Sequence, residues 1–194
     1  MREGEPVFDV DELVADCQAA LTEDQPPLAV RDVLRRALER PSAVGDALQP
    51  ATGGITLLHR ARDLTVLHAV WAPGMQLFPH DHRMWAAIGI YAGQEDNAFY
   101  RRAGTGLTES GGKEIGEGEV LVLGDDVIHA VTNPLHRLTA AIHIYGGDFV
   151  EHPRSVWGPG LVEERPYDLA VVEQEFAKAN EAWAAQSNTT VRRP

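Results

Sequence analysis

The chain has 194 residues, enough for one domain with terminal extensions and short for two. Hydrophobic residues make up 44%, which supports a packed core, and 17 Lys and Arg against 29 Asp and Glu give a net charge of −12. That charge disfavours phosphate backbones and so excludes nucleic acid as a default partner. The single cysteine, Cys17, excludes an intrachain disulfide and a cysteine-built zinc cluster.

Taken in chain order, the N-terminal stretch MREGEPVFDVDELVADC lacks the apolar run of a secretory leader. Asp9 is placed to cap a helix whose apolar residues Leu13, Val14, Cys17 and Leu21 recur at helical spacing. Pro26 and Pro27 are expected to break it. A second helix is expected over VRDVLRRALER, ended by Pro41, and residues 41–54, rich in Pro, Gly and Ala, read as a loop. From about residue 55 the period changes to two. ITLLHR, DLTVLHAVWA, QLFPHDH, MWAAIGIYA, NAFYRR, EVLVLG, HAVTN and LTAAIHIYG are strand candidates separated by glycine and proline turns. PYDLAVVEQEFAKANEAWAA returns to helical spacing through Leu169, Val172, Phe176 and Trp183, and the tail SNTTVRRP is expected to fray. The expected order is an N-terminal helical extension (residues 1–50), a β-barrel (51–160), and a C-terminal helix with its tail (161–194). No run of about 18 apolar residues occurs, so no membrane association is expected and a cytoplasmic location is the natural one.

The chemistry-bearing residues are histidines. Of eight, His59, His136 and His152 read as solvated or core-satisfied, and His68 as a core or pocket-lining residue. His80 and His82 are different: residues two apart on a strand share a face, so both imidazoles can reach one ion. Gly74, His80, His82 and Gly93, followed by Gly118, His129 and Asn133, resemble the two motifs of the cupin superfamily in order and spacing, with Gly124 and Asp126 standing where the second motif has its Pro and second Gly. The resemblance covers about residues 55–150 and implies a double-stranded β-helix, or jelly-roll, with His80, His82 and His129 as metal ligands. The first motif's Glu falls on Ala86 or Ala87, which leaves a three-histidine face.

The segment from His129 is similar to that of the thiol dioxygenases, cysteine dioxygenase in particular, which carry a Ser-x-His-x-Tyr stretch on a late strand. Here TAAIHIYGGDF supplies His143 and Tyr145, with Ala141 in place of Ser. Period two sets Thr139, Ala141, His143 and Tyr145 on the inward face. The resemblance implies iron(II), with other divalent metals open, and a small thiol and dioxygen as partners, both oxygen atoms ending on sulfur as a sulfinate. It implies that Tyr145, oriented by His143, donates a hydrogen bond at the site. It also implies an early-strand Arg that grips a substrate carboxylate: Arg60 is the nearest match, with Arg62, Arg83 and Arg101 as rivals. A homodimer is in keeping with the resemblance. A carbon–carbon-cleaving three-histidine dioxygenase and a ligand-binding cupin without activity remain open alternatives.

Overall fold

The computed structural model describes residues 7–190, with backbone alone for 187–190. The N-terminal MREGEP and the terminal VRRP of the expected frayed tail lie outside the described residues. Helix α1 (Val10–Ala20) starts where the sequence places it, with Asp9 Oδ1 accepting from the Asp11 and Glu12 amides at 2.7 and 3.0 Å. Pro26 and Pro27 do not only separate helices: they open α2 (Pro26–Ala37) at its first turn, where a missing amide hydrogen costs nothing. Pro41 opens a third helix by the same device, α3 (Pro41–Leu48), in the segment expected to be a loop. Its Val44 is fully buried, which explains why a Gly-containing stretch folds as a helix.

Eleven strands follow among the described residues. β1 (Gly54–Arg60), β2 (Thr65–Trp71), β3 (Gln76–Asp81), β4 (Ala86–Ala92), β5 (Gln94–Ala103), β7 (Val120–Leu123), β8 (Ile128–Thr132) and β9 (Thr139–Tyr145) fall on the expected runs, with β4 starting two residues later and β5 three residues earlier than expected. Three strands escape the sequence reading. β6 (Gly106–Gly116) is polar and glycine-rich, and its long backbone ladder with β5 holds it in place at the sheet edge. β10 (Ser155–Trp157) and β11 (Glu164–Pro166) are three residues each, too short to show a period. They carry the sheet past residue 160, where the sequence places the barrel's end. The C-terminal helix α4 (Leu169–Thr190) continues through SNTT, four residues beyond where fraying is expected to begin.

All strand pairs are antiparallel. The sheets have orders β1-β2-β9-β4-β7 and β11-β10-β3-β8-β5-β6. Strands β2 to β9 are therefore shared between two four-stranded sheets, β2-β9-β4-β7 facing β3-β8-β5-β6. That order is the jelly roll, the double-stranded β-helix of cupins. Helices α1–α3 cover the outer face of the first sheet through Leu13, Val30, Leu34 and Val44 against Val66, Ala87, Ile142 and Ile144. Gly89 permits that contact, since a methyl there would come within 2.6–2.8 Å of Leu34 and Leu38. Gly93, at φ +84°, lets β4 turn into β5 against Thr139, whose Cα would lie 2.9 Å from any Cβ at that position. The interior of the roll is left for the site.

Candidate metal centre

Register, rather than sequence proximity, assembles the three histidines. In the β3–β8 pair His80 stands directly opposite His129. His82 follows one residue past the end of β3, before Arg83 turns the chain at φ +52°. The strand expected over MWAAIGIYA accordingly begins only at Ala86. The ligand atoms of His80, His82 and His129 all lie within 4.8 Å of one another, and the residues are 5%, 2% and 1% exposed.

The hydrogen bonds around them aim their lone pairs. His80 Nδ1–H donates to the Phe78 carbonyl at 3.0 Å, and His129 Nδ1–H donates to Asn97 Oδ1 at 2.8 Å. A ring that donates through Nδ1 presents Nε2 as an acceptor, and such anchoring is how proteins orient metal-binding imidazoles. Burial keeps all three rings neutral, helped at His80 by the charge of Arg154 and at His82 and His129 by repulsion from the neighbouring histidines: His80 is pulled down to about 4, and His82 and His129 fall well below the usual range. The Nε2 atoms of His82 and His129 are only 3.4 Å apart. One cation shared by three neutral imidazoles satisfies this crowding, so the donor set fits a divalent metal. Among the described residues no carboxylate joins the cluster. Ala86 and Ala87 are both fully buried, one on the inner face and one against the helices.

The inward face of β9 borders this cluster. The Tyr145 ring stands edge-on to His82 with centroids 4.9 Å apart, and its hydroxyl is 3.1 Å from His143 Nδ1. Burial pushes the Tyr145 phenol well above its ordinary range, so it stays protonated. The far nitrogen of His143 meets a residue the sequence reading missed: Glu95, fully buried, with Oε1 3.2 Å from His143 Nε2 and 2.5 Å from Trp71 Nε1. Asn97 and Glu95 project inward from alternate positions of β5. The sequence reading started that strand at Asn97, which put Glu95 in a turn. A polar period of two from Glu95 to Asn97 was the available signal.

Arg60 does not reach the centre. It is forked onto Asp148 at 2.9 Å through both nitrogens, with Glu151 at 3.0 Å, on the surface. Arg83 and Arg101 do not line the cavity either: Arg83 bonds Ser155 and Glu164, and Arg101 is exposed. Among the described residues, the arginine whose charge reaches the cluster is Arg154, only 6% exposed. Its guanidinium lies between the rings of Phe149 and Tyr167, 3.7 and 3.8 Å from their centroids. It donates to the Phe149 carbonyl, and its Nε is buried without a partner. Its charge is felt at His80, His82 and Tyr145. Arg154 lies just before β10, outside the motif, so no spacing rule marked it.

The cavity bounded by the three histidines, His143, Tyr145, Phe149 and Tyr167 measures ≈20 Å³, about one water or one ion. Ile55, Leu67 and Phe149 separate it from an outer pocket of ≈510 Å³ between β1 and α4.

No protein-family model matches the chain. Similar solved structures include an uncharacterized conserved protein with a double-stranded β-helix domain from Klebsiella pneumoniae (11% identity, 58% of this chain and 87% of that one, TM-score 0.45). Others are an RmlC-like cupin family protein from Methanocaldococcus jannaschii (13%, 53% and 86%, TM-score 0.45) and a cupin superfamily protein from Desulfitobacterium hafniense (13%, 56% and 88%, TM-score 0.43). Such distant likenesses concern the fold alone, and the strand order already defines it. Fold and centre together describe a cupin-fold protein with a candidate three-histidine metal site. Among the described residues no helix is long and apolar enough to cross a membrane.

Proposed function

We propose that this protein is a non-haem iron dioxygenase that oxidises a small thiol to a sulfinate. The observation that carries the reading is the pairing of a carboxylate-free, neutral three-histidine cluster with the Tyr145–His143 pair on the same buried cavity. His80, His82 and His129 would hold the metal. Three neutral ligands leave coordination positions open, the arrangement non-haem iron oxygenases exploit. Iron(II) held there would supply the electron transfer that joins dioxygen to sulfur.

The chain's own residues do the rest. Asn97 and the Phe78 carbonyl hold two imidazoles in the ligating tautomer. Phe149, Tyr167, Leu77 and Val131 exclude water from the reacting atoms. Tyr145 sets its hydroxyl in the cavity wall, oriented by His143. Arg154, in place of Arg60, is the buried charge that attracts an anionic head group on the substrate, acting from between Phe149 and Tyr167, which line the cavity, rather than from the cavity wall itself. A thiol larger than the present cavity enters by displacing Phe149 from the partition toward the outer pocket.

The test is oxygen consumption by anaerobically iron-loaded protein across cysteine, 3-mercaptopropionate and a thiol amine, with product analysis. Sulfinate formed in step with oxygen uptake supports the reading. Cleaved carbonyl fragments from a diketone would place the reaction among carbon–carbon-cleaving dioxygenases. Tight metal binding with no oxygen uptake on any of these substrates would overturn the enzymatic reading.

A further inference from the structure

Glu95 has no assigned role in the metal cluster, yet it is the only carboxylate among the described residues that is fully buried in the barrel interior. Burying a carboxylate is costly, and this one makes only two contacts, both through Oε1, while Oε2 has no partner. Both contacts come from side chains that can donate. Trp71 Nε1–H is a donor only, so Oε1 acts as an acceptor there. His143 Nε2, 3.2 Å from the same oxygen, is matched to it when it carries the ring proton. In neutral His143 the proton then sits on Nε2, and Nδ1 is a bare lone pair. The group facing that lone pair is the Tyr145 hydroxyl, 3.1 Å away. It must donate to it, because Nδ1 has nothing to give.

We propose that Glu95 is the positioning residue that locks His143 in its Nε2–H tautomer and thereby turns the Tyr145 hydroxyl hydrogen toward His143 and its oxygen lone pairs toward the metal-side cavity. This reverses the hydrogen bond that resemblance to thiol dioxygenases implies, in which Tyr145 donates into the site. The ligand group that fits beside Tyr145 brings its own donor, an S–H, N–H or O–H. Glu95 also fills a gap in the sequence pattern. Ala141 lacks the hydroxyl that would otherwise steady His143, and a carboxylate from β5 steadies it across the barrel instead. The functional consequence rests on the cavity being the reactive site proposed above; the tautomer itself does not.

The experiment uses the full-length, ¹⁵N-labelled protein loaded with zinc as a diamagnetic metal. Long-range proton–nitrogen correlation spectra report the tautomer of His143, identified by its absence in His143→Asn. The expected result is Nε2–H in the wild type, with a downfield Tyr145 hydroxyl proton in contact with the His143 ring and lost in Tyr145→Phe. Glu95→Gln, whose amide oxygen still accepts, keeps the tautomer and stays within about threefold of wild-type turnover. Glu95→Leu loses the tautomer and roughly 10- to 100-fold in turnover at unchanged metal content, the range expected when an outer-shell residue that orients a site group is removed. A wild-type His143 that is Nδ1-protonated or doubly protonated at neutral pH overturns the proposal. So does Glu95→Leu with the wild-type tautomer, or Glu95→Gln with a loss as deep as that of Glu95→Leu. If Glu95→Leu does not fold, the wild-type spectrum and Glu95→Gln still decide. Failure of the thiol reading leaves the tautomer result readable, so the two failures are distinguishable.

Discussion

One sheet carries two histidine–tyrosine pairs, one on each face. On the outer face His68 Nε2 meets the Tyr91 hydroxyl at 2.7 Å, under the helical layer. On the inner face His143 meets Tyr145 at 3.1 Å, beside the three-histidine cluster. Both pairs are buried, both tyrosines are pushed upward by burial, and both histidines come from strands buried along their length. The difference lies in what surrounds each pair. The inner one has a carboxylate behind it and a cavity in front of it; the outer one has apolar side chains and only its own bond. Burial and residue type therefore leave the two pairs alike, whereas a third partner and an adjoining cavity set the inner one apart as the candidate functional pair.

Replacing the inner and outer histidines should break the comparison most visibly. His129→Ala is expected to abolish binding of the one divalent ion per chain, and His80→Ala and His82→Ala the same, because two ligands hold a metal weakly. His68→Ala should leave metal content unchanged. Elemental analysis after dialysis checks both, and near-normal metal in His129→Ala would refute the assignment of the centre.

The two tyrosines sharpen it next. Tyr145→Phe is expected to lower turnover by roughly 10- to 1000-fold without changing metal content, as when a preorganised hydrogen bond at a reacting centre is lost. Tyr91→Phe should leave turnover alone and cost stability instead, about 1–3 kcal/mol for the unpaired His68 nitrogen. Steady-state kinetics and denaturant unfolding, run on both variants, would expose an exchange of these outcomes.

The two arginines give a smaller contrast. Arg154→Ala should raise KM for an anionic thiol by roughly 10- to 100-fold, the worth of a charge-assisted hydrogen bond. Arg60→Ala should leave KM unchanged, because its fork onto Asp148 and Glu151 is a surface ion pair. A KM effect confined to Arg60→Ala would restore the early-strand arginine as the anchor.

The mildest effect is on pH. His80, His82 and His129 have folded-state values depressed below those of the unfolded chain, so the unfolded state binds more protons as the solution acidifies. In metal-free protein their contribution to stability is complete above about pH 6.5. It declines as pH falls toward the His80 value of about 4. Thermal melts of metal-free protein between these limits should show a falling Tm, and a Tm that rises on acidification would contradict buried neutral rings.

The barrel and the three-histidine cluster were legible in the sequence because both depend on local spacing. Alternation marks strands, and two histidines two apart mark a shared face. What was not legible depends on pairing across the fold. Asn97 acquires meaning only once β5 is laid beside β8, where Phe99 faces His129, and Glu95 only once the two sheets face each other and bring it to Trp71 and His143. Arg154 acquires it only once Phe149 and Tyr167 close around it. The strand β6 could not be read because its stability lies in backbone hydrogen bonds, which any composition can make. The helix α3 could not be read because Pro41 punctuates a sequence equally well whether it ends one helix or starts another.

The strap that follows β9 has a consequence for how this protein can be changed. Ser155 donates its amide to Asp81 between the two histidines, and Glu164 is held by Arg83, Arg102 and Ser155. These clasps fasten β10 and β11 to the edge of the barrel with Arg154 at their start. The segment that would recognise a head group is thus a separate clip on the rim, while the ligands stay on the inner strands. Because Val156 pairs with His80 and Phe149 and Tyr167 line the histidine cavity, changes within residues 149–168 that keep those three positions are the ones expected to alter the rim while leaving the histidine cluster in place. A graft of that stretch from another cupin, with Asp81 and Arg83 kept as its fasteners, would be a way to exchange one selectivity for another.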